Sequence, residues 1–157
     1  MSNLCEVSDA HLRIDSAFCL DHGFELIGHG DGWAEIACEV RPRHANRRGN
    51  VHGGLIAALL DTSMGLATRA SGDVENLGTA SLNVSYLQPA RGRLVASGSV
   101  LRNGRKLAFC EATVRNADGE IVATASGVFA ITHRAAISSS TSDAEPPAAF
   151  GTDRHRR

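Results

Sequence analysis

Between Leu55 and Thr68 the chain reads Leu-Ile-Ala-Ala-Leu-Leu-Asp-Thr-Ser-Met-Gly-Leu-Ala-Thr, a helix-forming run with no clear solvent face. Leu55, Ile56, Ala57, Ala58, Leu59, Leu60, Met64 and Leu66 are spread around the whole circumference. A helix that is apolar on every side is stable only when other structure wraps it, so the rest of the chain must supply a cover. Asp61 is the one ionisable side chain inside the run. A carboxylate in apolar surroundings is costly unless partnered, so its presence calls for a reason.

The cover is legible as strands. Phe24-Glu-Leu-Ile-Gly and Trp33 to Val40 flank Asp31-Gly32, a strong hairpin signal. In the second of these, Ala34, Ile36, Cys38 and Val40 alternate with Glu35 and Glu39, the pattern of a sheet with one wet face. After the helix, Ser71 to Asn76 reads as a polar loop. Thr79 to Tyr86 alternates, with Ala80, Leu82, Val84 and Tyr86 on one side. Two longer strands, about Arg93–Arg102 and Lys106–Asn116, are joined at Asn103-Gly104, and a last strand runs from about Ile121 to His133. Ahead of all this, Ser8 to Asp21 is expected to form a short helix capped by Ser8 or Asp9. The expected architecture is α+β: a curved antiparallel sheet of five to six strands around one long central helix.

The 157 residues suit one domain with a single core. That domain is expected over residues 1–134, with 1–21 as an N-terminal helical segment. Residues 135–157 are expected to be a disordered tail, because Ser-Ser-Ser-Thr-Ser-Asp-Ala-Glu-Pro-Pro cannot build a core. A formal net charge of −1 argues against general nucleic-acid binding. No apolar run approaches the roughly 20 residues that cross a bilayer, and the first residues have no signal-peptide pattern, so a cytoplasmic location is expected. The cysteines Cys5, Cys19, Cys38 and Cys110 have no metal-ligand spacing. Cys38 and Cys110 fall within strands and read as small core residues.

The helix is entered through Asn46-Arg-Arg-Gly-Asn-Val-His52-Gly53-Gly54. Gly53 and Gly54 permit close approach of another backbone or a ligand. First-turn N–H groups lack partners within the helix and can meet a negative or developing negative oxygen. An anion hole at the helix mouth and a base or nucleophile two turns further in suit acyl chemistry.

Three blocks then carry a family resemblance: Asn46-x5-His52-Gly-Gly-x6-Asp61, Leu82-Asn-Val-Ser-Tyr-Leu-x-Pro89 and Gly104-Arg-Lys-Leu-Ala-Phe109. In this order they resemble the hotdog-fold acyl-CoA thioesterases of the PaaI (phenylacetate-degradation) type, over roughly Phe24 to Thr132. The resemblance implies hydrolysis of an acyl- or aryl-CoA thioester to the free acid and CoA. No metal or cofactor is called for, coenzyme A being part of the substrate. Asp61 resembles the carboxylate that activates water or attacks the thioester directly. Gly53 resembles the residue whose backbone N–H polarises the thioester carbonyl, while Asn46 and His52 resemble the loop pair that holds carbonyl and water. Thr79 falls where relatives carry a small hydroxyl residue that orients the water. The family's site spans two subunits, with Asp61 and Thr79 from one and Asn46, His52 and Gly53 from the other. A homodimer is therefore implied, assembling further as a dimer of dimers.

Each site residue also has a plainer reading. Asp61 can be a structural carboxylate, His52 a loop anchor, Asn46 a turn residue and Thr79 a solvated hydroxyl. Gly54 and the basic side chains Arg47, Arg48, Arg105 and Lys106 are the candidates for holding substrate and the CoA phosphates, against the alternative of a solvated sheet edge. Two other functions use the same fold: hydration or dehydration of enoyl- or hydroxyacyl-CoA, and non-catalytic acyl-CoA binding. Relatives of the first kind pair a loop Asp with a His a few residues on, whereas here His52 precedes Asp61. Sensors of the second kind carry an added DNA-binding segment, and Met1–Asp21 has neither the length nor the charge for one.

Overall fold

A computed structural model describes residues 12–134. A short helix α1 (Ala17–Asp21) precedes the hairpin β1 (Phe24–Gly30) and β2 (Trp33–Glu39). A single 3-10 turn (Pro42–His44) leads to the long helix α2 (Gly53–Arg69). Four strands follow: β3 (Val74–Tyr86), β4 (Arg93–Asn103), β5 (Leu107–Arg115) and β6 (Ile121–His133). All six strands form one antiparallel sheet in the order β1-β2-β4-β5-β6-β3. The sheet curls around α2, which packs against β2, β3, β4, β5 and β6. This is the expected α+β architecture, with six strands.

The helix can sink into the sheet because the sheet's inner face is trimmed beneath it. Ala34, Gly98, Ala112 and Ala125 lie side by side across β2, β4, β5 and β6. A Cβ on Gly98 would stand 2.5 Å from the Ser63 carbonyl carbon and 2.6 Å from the Met64 nitrogen. Backbone therefore rests directly on backbone at this point, and no side chain larger than hydrogen fits. Around the contact, Leu59, Leu60, Met64, Ile36, Leu94, Val114 and Val122 are fully buried. Cys38 and Cys110 are buried free thiols of this core, as their strand positions implied. Burial pushes both thiols above their ordinary pKa.

Three local expectations need correction. The helix α1 begins at Ala17 and is capped by Ser16, whose side chain accepts from the Cys19 N–H, so residues 12–16 of the expected Ser8–Asp21 helix are not helical. They run as an irregular strap over α2, tied down by Arg69, whose Nη1 donates to the Arg13 carbonyl at 3.3 Å. Tertiary docking overrides local helix propensity there. The expected caps Ser8 and Asp9, together with the tail 135–157, lie outside the described residues. The expected loop over Ser71–Asn76 is shorter, because β6 continues to His133 and gives Val74 and Glu75 partners on a ladder. Finally, α2 does have a lightly covered stripe. Gly54 is exposed, and Ala57, Ala58, Asp61, Thr62, Gly65 and Arg69 are half-buried, all on one helix face. Asp61 sits in the middle of this stripe rather than in the core.

Candidate active site

The site loop is held from inside. The Asn46 N–H donates to the Asn50 carbonyl at 2.7 Å, and the Asn46 Oδ1 accepts from the backbone N–H groups of Arg48 and Asn50 at 2.9 and 3.3 Å. Gly49 takes a left-handed φ of 76° that closes the turn. Arg91 donates from Nε to the Asn50 Oδ1, tying the loop to the chain before β4. Asn46 thus organises the loop with its oxygen, while among the described residues its Nδ2 amide has no partner.

His52 is the N-cap of α2. Its Nδ1 accepts from the Gly54 N–H at 2.9 Å, which requires a neutral ring carrying its proton on Nε2. Leu55 and Ile56 donate to the His52 carbonyl. The cap leaves Gly53 as the one first-turn N–H without an acceptor among the described residues. Gly54, by contrast, spends its N–H on the cap. Tyr86, at the end of β3, donates its hydroxyl hydrogen to the Gly53 carbonyl at 2.9 Å. Its ring lies over Gly53 so closely that a Cβ there would meet ring carbons at 3.3 Å.

Two turns along α2, the Thr79 hydroxyl donates to the Asp61 Oδ1 at 2.7 Å. Thr79 is set by its strand: the β3–β6 register slips between Asn76 and Gly78 and again between Thr79 and Ser81, so a bulge flanks it on each side. Asn76 steadies the first bulge, accepting from the Gly78 N–H at 2.8 Å and donating to the Gly65 carbonyl at 3.3 Å. Asp61, Thr79, Asn76 and Gly65 line one cleft of about 380 Å³.

The candidate residues therefore fall into two groups. Asp61 and Thr79 form one, and Asn46, His52, Gly53 and Gly54 form the other. Eight residues of continuous helix separate Gly53 from Asp61, an axial rise of about 12 Å. Each group has its own basic pair. Arg47 and Arg48 are exposed on the Asn46 loop. Arg105 and Lys106 are exposed at the start of β5, where Leu107 stands beside Ala130 and Ala130 beside Gly78, two strand spacings or about 10 Å from the Thr79 region.

The chain has relatives among known proteins. The model of the thioesterase superfamily matches residues 48–123. A putative esterase of Halobacterium salinarum is 44% identical over 79 residues, 48% of this chain and 52% of that protein, so the matched stretch spans about half the length of that relative. The medium/long-chain acyl-CoA thioesterase YigI of Salmonella typhimurium is 29% identical over 126 residues, 69% of this chain and 81% of its own. A solved conserved protein of Pseudomonas aeruginosa is similar at 33% identity with a TM-score of 0.70, covering 74% of this chain and 94% of that one. The chain belongs to the thioesterase superfamily.

Within this superfamily member, three contributors to the site geometry escaped the sequence reading. Tyr86 stands among the alternating positions of its strand and within the Leu82–Pro89 block, but nothing local marks its contact with Gly53. Asn76, expected in a loop, lies on β3 and meets the Gly65 carbonyl. His44 is the third: it is buried, its carbonyl accepts from the His52 N–H at 2.8 Å, and its Nδ1 accepts from the Arg41 N–H at 3.1 Å. Its Nε2 and the Nδ1 of His22 are buried without partners among the described residues. Burial, then the positive charge of Arg43, His22 and Arg41, pulls the His44 pKa below its ordinary value. Among the described residues, no helix is long and apolar enough to cross a membrane.

Proposed function

We propose that this thioesterase-superfamily protein hydrolyses acyl- or aryl-CoA thioesters to the free acid and CoA, at sites each assembled from two copies of the chain. One observation carries the reading. The carboxylate–hydroxyl pair Asp61–Thr79 and the free Gly53 N–H are the two chemical components that thioester hydrolysis needs, and they lie about 12 Å apart along one helix. A base or nucleophile and an oxyanion donor must both reach one carbonyl at about 3 Å. Within one chain they cannot; across a twofold axis, Asp61 of one copy can meet the helix mouth of the other. The edge strand β3 supports such pairing. It is 13 residues long, has no neighbour on its outer side among the described residues, and exposes Leu77 and Tyr86.

In this reading the thioester carbonyl oxygen sits against the Gly53 N–H, the one first-turn donor left without an acceptor among the described residues. Thr79 occupies the Asp61 Oδ1, which leaves Oδ2 to take a proton from water during attack or to attack the carbonyl itself. The hydroxyl oxygen of Thr79 can accept from that water and aim it. The Asn46 amide nitrogen and the His52 Nε2–H are the donors available to the carbonyl and the water from the second copy. The tetrahedral intermediate collapses by expelling the CoA thiolate, a good leaving group that makes no strong demand for a general acid. Arg47 and Arg48, with Arg105 and Lys106, offer charge to the CoA phosphates. The resemblance of the chain to acyl-CoA thioesterases such as YigI fits this chemistry.

A thiol-release assay over a panel of acyl-CoAs, run beside enoyl-CoA hydration, tests the reading. Thiol release abolished by Asp61→Asn is the expected result. Hydration without thiol release, or release that is untouched by Asp61→Asn, would overturn it.

A further inference from the structure

The cleft beside Asp61 has a wall that the chemistry above does not use. On its helix side two small residues flank the carboxylate: Ala58 precedes Asp61 by about one turn, and Gly65 follows it by one. Neither projects far enough to fill the space next to the carboxylate. A Cβ added to Gly65 would stand 3.3 Å from the Asn76 Nδ2 and 3.6 Å from the Phe129 ring. The floor is apolar, with Leu66 and Phe129 buried. The opposite wall comes from the N-terminal strap and α1, through Ile14, Phe18 and Cys19.

That wall is fastened at both ends. Arg69 holds the strap through the Arg13 carbonyl at 3.3 Å and the Asp15 carboxylate at 3.8 Å. The Cys19 Sγ meets the Thr62 Oγ1 at 3.5 Å, one residue from Asp61. Phe18 is braced by the His22 ring, edge-on at 4.3 Å, yet stays 50% exposed. A braced aromatic ring with an open surface, on a cleft that contains the reactive carboxylate, is a surface built to be covered by a ligand.

We infer that residues 14–19 form the outer wall of the acyl pocket, and that Phe18 and Ile14 set the length of the acyl chain the enzyme accepts. This rests on the thioesterase reading of Asp61. The class selected is an uncharged apolar acyl group, because Cys19, Ala58, Leu66 and Phe129 offer no counter-charge in the deep part of the cleft. The charged side chains Arg13, Asp15 and Arg69 stand on the strap and at the end of α2, with Asp15 and Arg69 engaged to each other.

The test is kcat/KM across straight-chain acyl-CoAs of increasing length, with phenylacetyl-CoA and a dicarboxylic acyl-CoA as further arms. It is run on wild type, Phe18→Ala and Ile14→Trp, with melting temperature and oligomeric state measured for each. Opening the wall with Phe18→Ala should move the preferred length up, raising the ratio of long-chain to short-chain kcat/KM by about ten-fold, the scale of a methylene or two in an apolar pocket. Filling it with Ile14→Trp should move the preference down. A strap that only covers α2 predicts something else: lower melting temperature and a uniform loss of rate, with the chain-length profile unmoved in both variants. That result overturns the inference while leaving the hydrolase reading intact. Preference for the dicarboxylic substrate overturns the assignment of an uncharged acyl group. A wild-type protein that releases thiol from none of the panel overturns the hydrolase reading, and the inference with it.

Discussion

The hydroxyl of Tyr86 and the carbonyl of Gly53 are 2.9 Å apart, and a Cβ on the glycine would stand 3.3 Å from the tyrosine ring, which would have to give way by a few tenths of an ångström. The end of β3 therefore grips the first turn of α2 at the residue whose N–H has no acceptor among the described residues. Tyr86→Phe keeps the ring and removes only the grip. Its expected effect is a several-fold fall in kcat with KM little changed, and a stability loss within about 1 kcal/mol, as for a single exposed hydrogen bond. Gly53→Ala goes further, pushing the ring away, and should lower kcat by at least ten-fold. Steady-state kinetics beside thermal melts separate the two effects.

Asp61→Asn is nearly isosteric and sits on a half-buried stripe, so the helix should pack as before. An amide cannot take a proton from water at neutral pH. The expected fall in kcat is at least ~10²-fold, with the melting temperature within a few degrees of wild type. Retention of more than about a tenth of the wild-type kcat in a folded dimer would remove Asp61 from the mechanism.

Thr79 can be tested by its oxygen alone. Thr79→Ser retains the hydroxyl that donates to Asp61 at 2.7 Å and should keep most of the activity, whereas Thr79→Val, similar in shape, should lose about ten-fold in kcat. Equal rates for the two variants would assign the hydroxyl to solvent.

A composite site predicts rescue by mixing. Asp61→Asn and His52→Ala proteins, each nearly inactive, should regain activity after subunit exchange, because a heterodimer holds one site with both halves intact. The ceiling is about half the wild-type rate per heterodimer. Exchange demonstrated by mass, with no recovery, would count against sites shared between copies.

His44 gives a pH signature. Its pKa is depressed in the folded protein, so on acidification the unfolded chain takes up the proton first, at about pH 6.5, while the folded chain resists. The unfolded state then binds more protons, and stability falls as pH drops from the unfolded pKa toward the folded one. Above that window the contribution is fully present. Protonating Nδ1 also breaks the bond from the Arg41 N–H that shapes the turn before the site loop. His44→Asn, whose Oδ1 can replace Nδ1 as acceptor, should lose less denaturation midpoint between pH 7.5 and pH 5.5 than wild type does.

The sequence was most legible where periodicity and side-chain chemistry coincide. Leu55 to Thr68 announced a wrapped helix, and the alternations around Asp31-Gly32 and Asn103-Gly104 announced hairpins. The Asp61–Thr79 contact was within reach because Asp61 stands in the first block and Thr79 falls where relatives carry a small hydroxyl residue. What stayed hidden depends on residues far apart in the chain. Tyr86 meets Gly53 only because β3 lies at the sheet edge beside the helix mouth. The strap 12–16 is held by Arg69, and no local pattern distinguishes a docked strap from the first turn of a helix. The double bulge around Thr79 likewise arises from register against β6, to which β3 carries no local clue.

The seat of α2 on Gly98 has a consequence for solution behaviour. A helix resting backbone on backbone cannot slide along the sheet, so the distance between Gly53 and Asp61 is a fixed ruler. If a bound thioester must touch one end of each of two such rulers, it cross-links the copies that bind it. Dilution should then lower the specific activity, and saturating substrate, or a non-hydrolysable analogue, should restore it by drawing the association equilibrium toward the paired form.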